Sequence, residues 1–129
     1  MLIALGIILT VLVLFVVLQI VMVRKMQSKR GKDVPQLGGR LDALMRRGKV
    51  LFYFYNPSCR ACKPMTPIVR SLAQQDKRIL LEDISRDVRT AQKFGVMATP
   101  TVILVKEGKI ADVLVGYQDE SRLRALLAD

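Results

Sequence analysis

The chain of 129 residues contains no histidine. That absence removes Cys–His nucleophilic catalysis, Ser–His triads and every histidine-containing zinc site from consideration. Tryptophan is missing as well, and cysteine occurs only twice. Acids are scarce, 11 against 21 Lys and Arg, which leaves a net charge of +10. A basic chain raises the question of nucleic acid, but that reading needs basic residues gathered on a recognition element with stacking aromatics or a known motif. Beyond position 40 the basic residues are scattered among acids, so no nucleic-acid partner is expected.

Charge is absent altogether from residues 2–23, LIALGIILTVLVLFVVLQIVMV, where Thr10 and Gln19 are the only clearly polar side chains. As a helix this stretch would be about 33 Å long, enough to cross a bilayer core of about 30 Å. A cleaved signal peptide would show a basic start, a shorter apolar run and a small-x-small site, and none is visible. Residues 1–23 are therefore expected to be a transmembrane anchor. Residues 24–40, RKMQSKRGKDVPQLGGR, carry six basic groups against one acid, half of the total net charge. With one proline, three glycines and no hydrophobic period, they are expected to form a flexible juxtamembrane linker touching anionic head groups. Positive residues flanking a membrane helix favour the cytoplasm, which places the domain on that side.

From Leu41 the pattern changes, and residues 41–129 are expected to form one domain with no internal repeat. Leu41, Leu44 and Met45 have helical spacing that Gly48 stops. Val50–Tyr55 is a continuous apolar run ending at Asn-Pro, as in a strand covered on both faces. Met65, Ile68, Val69 and Leu72 repeat at helical spacing. Ile79–Ile84 reads as a second strand, and Ser85 as the cap of a helix running to Phe94 that Gly95 ends. Thr101–Val105 is a third strand, and Glu107-Gly108-Lys109 turns into a fourth, Ile110–Val115. Leu123, Leu126 and Leu127 close the chain with an amphipathic helix. Strands separated by helices imply parallel pairing, and the final hairpin adds an antiparallel strand. The fold class is α/β, a four-stranded mixed sheet with helices on both faces.

Both cysteines fall in NPSCRACKPMTP, residues 56–67, as a C-x-x-C pair. Chance would place two cysteines three apart roughly one time in sixty. If Cys59 starts a helix, Cys62 lies almost one turn on and faces the same way. The helix N-terminus and the nearby charges of Arg60 and Lys63 would then stabilise the Cys59 thiolate, which is the nucleophile. Zinc wants four protein ligands, and two thiolates leave that site half built. Copper(I) could accept two cysteines, but Pro57 and Ser58 precede Cys59 and the element order differs from metallochaperones. A loop this short makes a poor structural staple. No metal is expected.

VLFYFYNPSCRACKPMTP, the DIS downstream and FGVMATPTVILVKEGKIADVLVGY together resemble the thioredoxin family, from about Val50 to Leu127. The resemblance implies a thioredoxin-like fold, with Cys59 as the attacking cysteine and Cys62 as the buried resolving one. It also implies a cis-proline at Pro100 facing the pair, with Thr99 and Pro100 offering backbone groups to substrate. Some positions depart from the family. Tyr53 stands where a buried aspartate is usual, and Leu81 where its lysine partner would be. Ser58 replaces a tryptophan, Arg60-Ala61 replaces Gly-Pro, and Pro64 removes an N–H from the early helix. A stabilised Cys59 thiolate implies a less reducing protein than a typical thioredoxin, and the missing acid a water-mediated proton path for Cys62.

The function implied is a membrane-anchored thiol–disulfide oxidoreductase acting on protein thiols and disulfides. No bound cofactor is expected beyond the Cys59–Cys62 disulfide, and a further redox protein would supply reductant or oxidant. The alternatives are a non-catalytic adaptor or scaffold on the same fold and, by resemblance to tethered bacterial relatives, an extracytoplasmic domain.

Overall fold

The computed structural model describes residues 1–128. Its order is α1 (Leu2–Gln27), α2 (Gly39–Arg47), β1 (Lys49–Tyr55), α3 (Cys62–Gln75), β2 (Ile79–Asp83), α4 (Arg89–Phe94), β3 (Thr101–Lys106), β4 (Lys109–Val115) and α5 (Glu120–Leu127). The strands form one sheet in the order β2-β1-β3-β4. β1 pairs with β2 in parallel and with β3 antiparallel, and β3 and β4 form the expected hairpin. This is the thioredoxin-like α/β architecture.

β1 is buried on both faces because six apolar or aromatic residues follow one another. Alternation along the strand sends Leu51, Tyr53 and Tyr55 to one side, against α3 and α5. Val50, Phe52 and Phe54 go to the other, against α2 and α4. Each face is a separate hydrophobic cluster, so the sheet is a wall between two cores.

Two helix starts differ from expectation. α3 begins at Cys62 rather than Cys59, because Asn56 organises a turn there: its side chain accepts the Ser58 N–H at 2.9 Å and its carbonyl the Cys59 N–H at 2.9 Å. α4 begins at Arg89 instead of after Ser85, whose N–H and hydroxyl are both taken by Asp83 Oδ1. Pro64 costs α3 nothing, since it falls in the first turn, where backbone N–H groups have no intrahelical partner. Gly95 ends α4 in the left-handed region at φ 69°, and a Cβ there would also run into the Lys29 side chain.

The segment expected as a flexible linker is instead folded onto the sheet. α1 runs on to Gln27, and Met26 is only 2% exposed within the phenylalanine-side core. Beyond it, Gly31 N–H reaches the Ile110 carbonyl at 2.7 Å, and Ile110 N–H reaches Lys32 at 2.9 Å. Val34 N–H bonds Gly108 at 3.0 Å, and Arg30 pairs with Asp112 at 2.9 Å. Val34 and Leu37 pack against the same core. These residues cover the outer edge of β4, where a few isolated apolar side chains and backbone bonds suffice without any local period. The remainder of α1 is long and apolar enough to cross a membrane, with mean hydropathy 3.0 and none of its apolar window buried.

Candidate active site

The cysteine pair sits where β1 ends. Cys59 lies in the turn after Tyr55 and is partly exposed, whereas Cys62, the first residue of α3, is 1% exposed. Both are free thiols. The Cys62 N–H donates to Cys59 Sγ at 3.3 Å, so the sulfur takes the place of a capping side chain; α3 has no other side-chain cap. In its protonated form Cys59 donates to the Thr99 carbonyl at 3.5 Å. The Thr99–Pro100 peptide is cis, Pro100 is buried, and its carbonyl accepts the Gly116 N–H at 2.8 Å.

The two thiols are driven apart electrostatically. Partial burial pushes Cys59 up, but hydrogen bonds from the Cys62 thiol, from Thr99 and from the Cys62 and Ala61 N–H groups outweigh it. Cys59 ends below the ordinary thiol value of 9.0. Burial, reinforced by the hydrogen bond to Cys59, holds Cys62 above that value. One thiol is thus accessible and more acidic than usual, and the other sheltered and less acidic.

Arg60 and Lys63 lie beside the cysteines in sequence. Both are exposed, and neither side chain makes a hydrogen bond or ion pair among the described residues. The groups that lower Cys59 are the Cys62 thiol, the Thr99 side chain and the backbone N–H groups of Cys62 and Ala61. Met97, close by in sequence to Thr99, is 45% exposed.

Two partners of Cys62 have no local signal in the sequence. The Thr66 hydroxyl donates to the Cys62 carbonyl at 2.9 Å. Its single proton being spent there, the Tyr53 hydroxyl donates to Thr66 Oγ1 at 2.8 Å. Tyr53 is fully buried, and burial pushes its phenol up to about 12, with the neighbouring Cys62 and Cys59 adding to the rise. It remains protonated at physiological pH and serves as a donor. A cleft of about 280 Å³ also reaches Cys62, lined by Asn56, Lys63, Thr66 and Arg70 among others. Asn56 and Thr66 would have been visible in sequence only as unremarkable polar residues.

Known proteins resemble this chain. The family model described as Thioredoxin matches residues 41–129. Thioredoxin of Bacillus subtilis (strain 168) is 35% identical over 83 residues, covering 62% of this chain and 80% of that protein. Thioredoxin of Chlamydia muridarum is 39% identical over 83 residues, covering 63% and 81%. Among solved structures, Fasciola hepatica thioredoxin superposes with a TM-score of 0.58 at 26% identity, covering 68% of this chain and 86% of that one.

Proposed function

Since this chain belongs to the thioredoxin family and is a thiol–disulfide oxidoreductase, we propose that it exchanges disulfides with protein substrates from a membrane anchor, through Cys59 and Cys62. The Cys59 thiolate attacks one sulfur of a substrate disulfide. That S–S bond breaks, one substrate thiolate leaves, and Cys59 is joined to the other sulfur as a mixed disulfide. Cys62 then loses its proton and attacks Cys59 Sγ, which expels the second substrate thiolate. Two electrons have passed to the substrate, and Cys59–Cys62 is a disulfide; the reverse sequence oxidises a dithiol.

The observation that carries this reading is the 3.3 Å bond from Cys62 N–H to Cys59 Sγ, joined to the opposite displacements of the two thiols. The Cys62 proton leaves through the cleft beside Asn56 and Thr66, in place of a buried acid. Thr99 and Pro100 present backbone to a substrate segment lying along Cys59. The chemistry runs on the dithiol itself, with no bound cofactor invoked, and another redox protein resets it.

Residues 2–23 form the anchor. Support comes from the unbroken run of α1 into the domain, where Met26 is built into the core. Arg24 and Lys25 flank the apolar stretch and favour a cytoplasmic domain.

Cys59→Ser is expected to abolish exchange with a protein disulfide, and Cys62→Ser to accumulate the mixed disulfide. Retained turnover in the first variant would contradict the assignment. In intact cells, a membrane-impermeant thiol reagent should leave the anchored protein unlabelled; labelling of Cys59 without lysis places the domain outside.

A further inference from the structure

The two edges of the sheet are treated differently. β4's outer edge is covered by residues 31–34, whereas no strand among the described residues pairs with the outer edge of β2. Leu51 N–H bonds the Arg78 carbonyl and Ile84 N–H bonds the Tyr55 carbonyl. In a parallel ladder this fixes residues 78, 80, 82 and 84 toward β1, so Leu81 turns its N–H and C=O outward. An uncovered edge of this kind is a template for another strand.

Beside that edge, between β2 and α2, lies a groove of about 750 Å³. Leu44, Val50 and Leu80 supply apolar lining, and Leu44 is left 49% exposed. Arg40, Arg47 and Lys77 stand on the same lining, which contains no acid. None of the ion pairs among the described residues engages these three cations. Apolar contact and unspent positive charge therefore converge beside open backbone hydrogen-bonding groups.

We propose that this edge and groove accept an extended, acidic segment of a partner protein as a fifth strand beside β2. Every second side chain of the segment enters the groove, an apolar one against Leu44 and Leu80 and acidic ones before and after it toward Arg40, Arg47 and Lys77. Glu82 and Asp83 at the other end of β2 set the register by repelling acids there. The groove reaches Gly48 and Lys49 at the start of β1, while Cys59 follows the end of that strand. A partner held here leaves the thiols open to a disulfide.

The test uses the full chain in detergent micelles and a fluorescent heptapeptide, Thr-Glu-Thr-Val-Thr-Glu-Thr, whose Glu and Val share one face, with its counterpart in which both Glu are Lys. The acidic peptide should bind saturably, at least about tenfold tighter than the basic one, and slow hydrogen exchange at the Leu81 amide. The R40E/R47E double variant should reverse that preference while exchange with a small disulfide is unchanged; K77E, should the double variant misfold, should weaken acidic-peptide binding. Equal binding of both peptides, no saturation, an unprotected Leu81 amide or insensitivity to charge reversal overturns the proposal. So does protection of Leu81 by phosphatidylglycerol bilayers without peptide, which would make a lipid the occupant.

Discussion

The two faces of the sheet are built from one strand yet differ in chemistry. Phe52 and Phe54 stack on each other at 6.0 Å and both meet Phe94, giving a hydrocarbon core with no polar tip. Tyr53 and Tyr55 stack at 5.4 Å on the opposite face, the one that holds α3 and Cys62. A single hydroxyl per ring separates the two sets. On the tyrosine side the Tyr53 hydroxyl reaches Thr66 and through it the Cys62 carbonyl, which places polarity beside the sulfur chemistry. The phenylalanine side holds the fold, and the tyrosine side holds the fold and positions the thiol.

The largest effect expected of that division is on stability. Phe52→Ala removes a fully buried ring between Phe54 and Phe94 and should cost about 3–5 kcal/mol in denaturant unfolding. The Cys59 alkylation rate per folded molecule should stay unchanged; a large change would show that the faces are not separable. Tyr53→Phe should cost about 1–2 kcal/mol, because Thr66 Oγ1 loses its donor. It should also shift the pH profile of mixed-disulfide resolution by Cys62, an effect that a purely structural role would not produce.

The smallest effect probes Glu82, a partly buried carboxyl on β2. Burial, with Asp87 adding, raises Glu82 above the ordinary carboxyl value of 4.5. Its folded pKa therefore exceeds the unfolded one, and ionisation at neutral pH costs stability. Glu82→Gln should stabilise the protein at pH 7 by less than about 1 kcal/mol. The gain should fade as pH falls through the raised pKa and below 4.5, where both states hold the proton.

How much of this was legible in the sequence depends on how local each cause is. The run Val50–Tyr55, the C-x-x-C spacing and the hairpin at Gly108 are local patterns, and the observed strands and turn lie within a residue or two of them. The start of α3 slipped by three residues because Asn56 spends its side chain on the turn, which a helical period does not report. The start of α4 slipped because Asp83 captures Ser85. Residues 24–40 lack a period, yet Met26 and Val34 find the core through pairing with β4, a contact about 75 residues away in sequence. Thr66 touches Tyr53 only once strand and helix are packed. Local spacing revealed the cysteine pair; its neighbours emerged from packing.

The most direct test is the pH dependence of alkylation at each cysteine in the full chain, resolved by mass spectrometry. Cys59 is expected to titrate below the ordinary thiol value of 9.0 and to react first, with Cys62 titrating above it. A Cys62 that titrates below Cys59, or two thiols with indistinguishable profiles, would contradict the account.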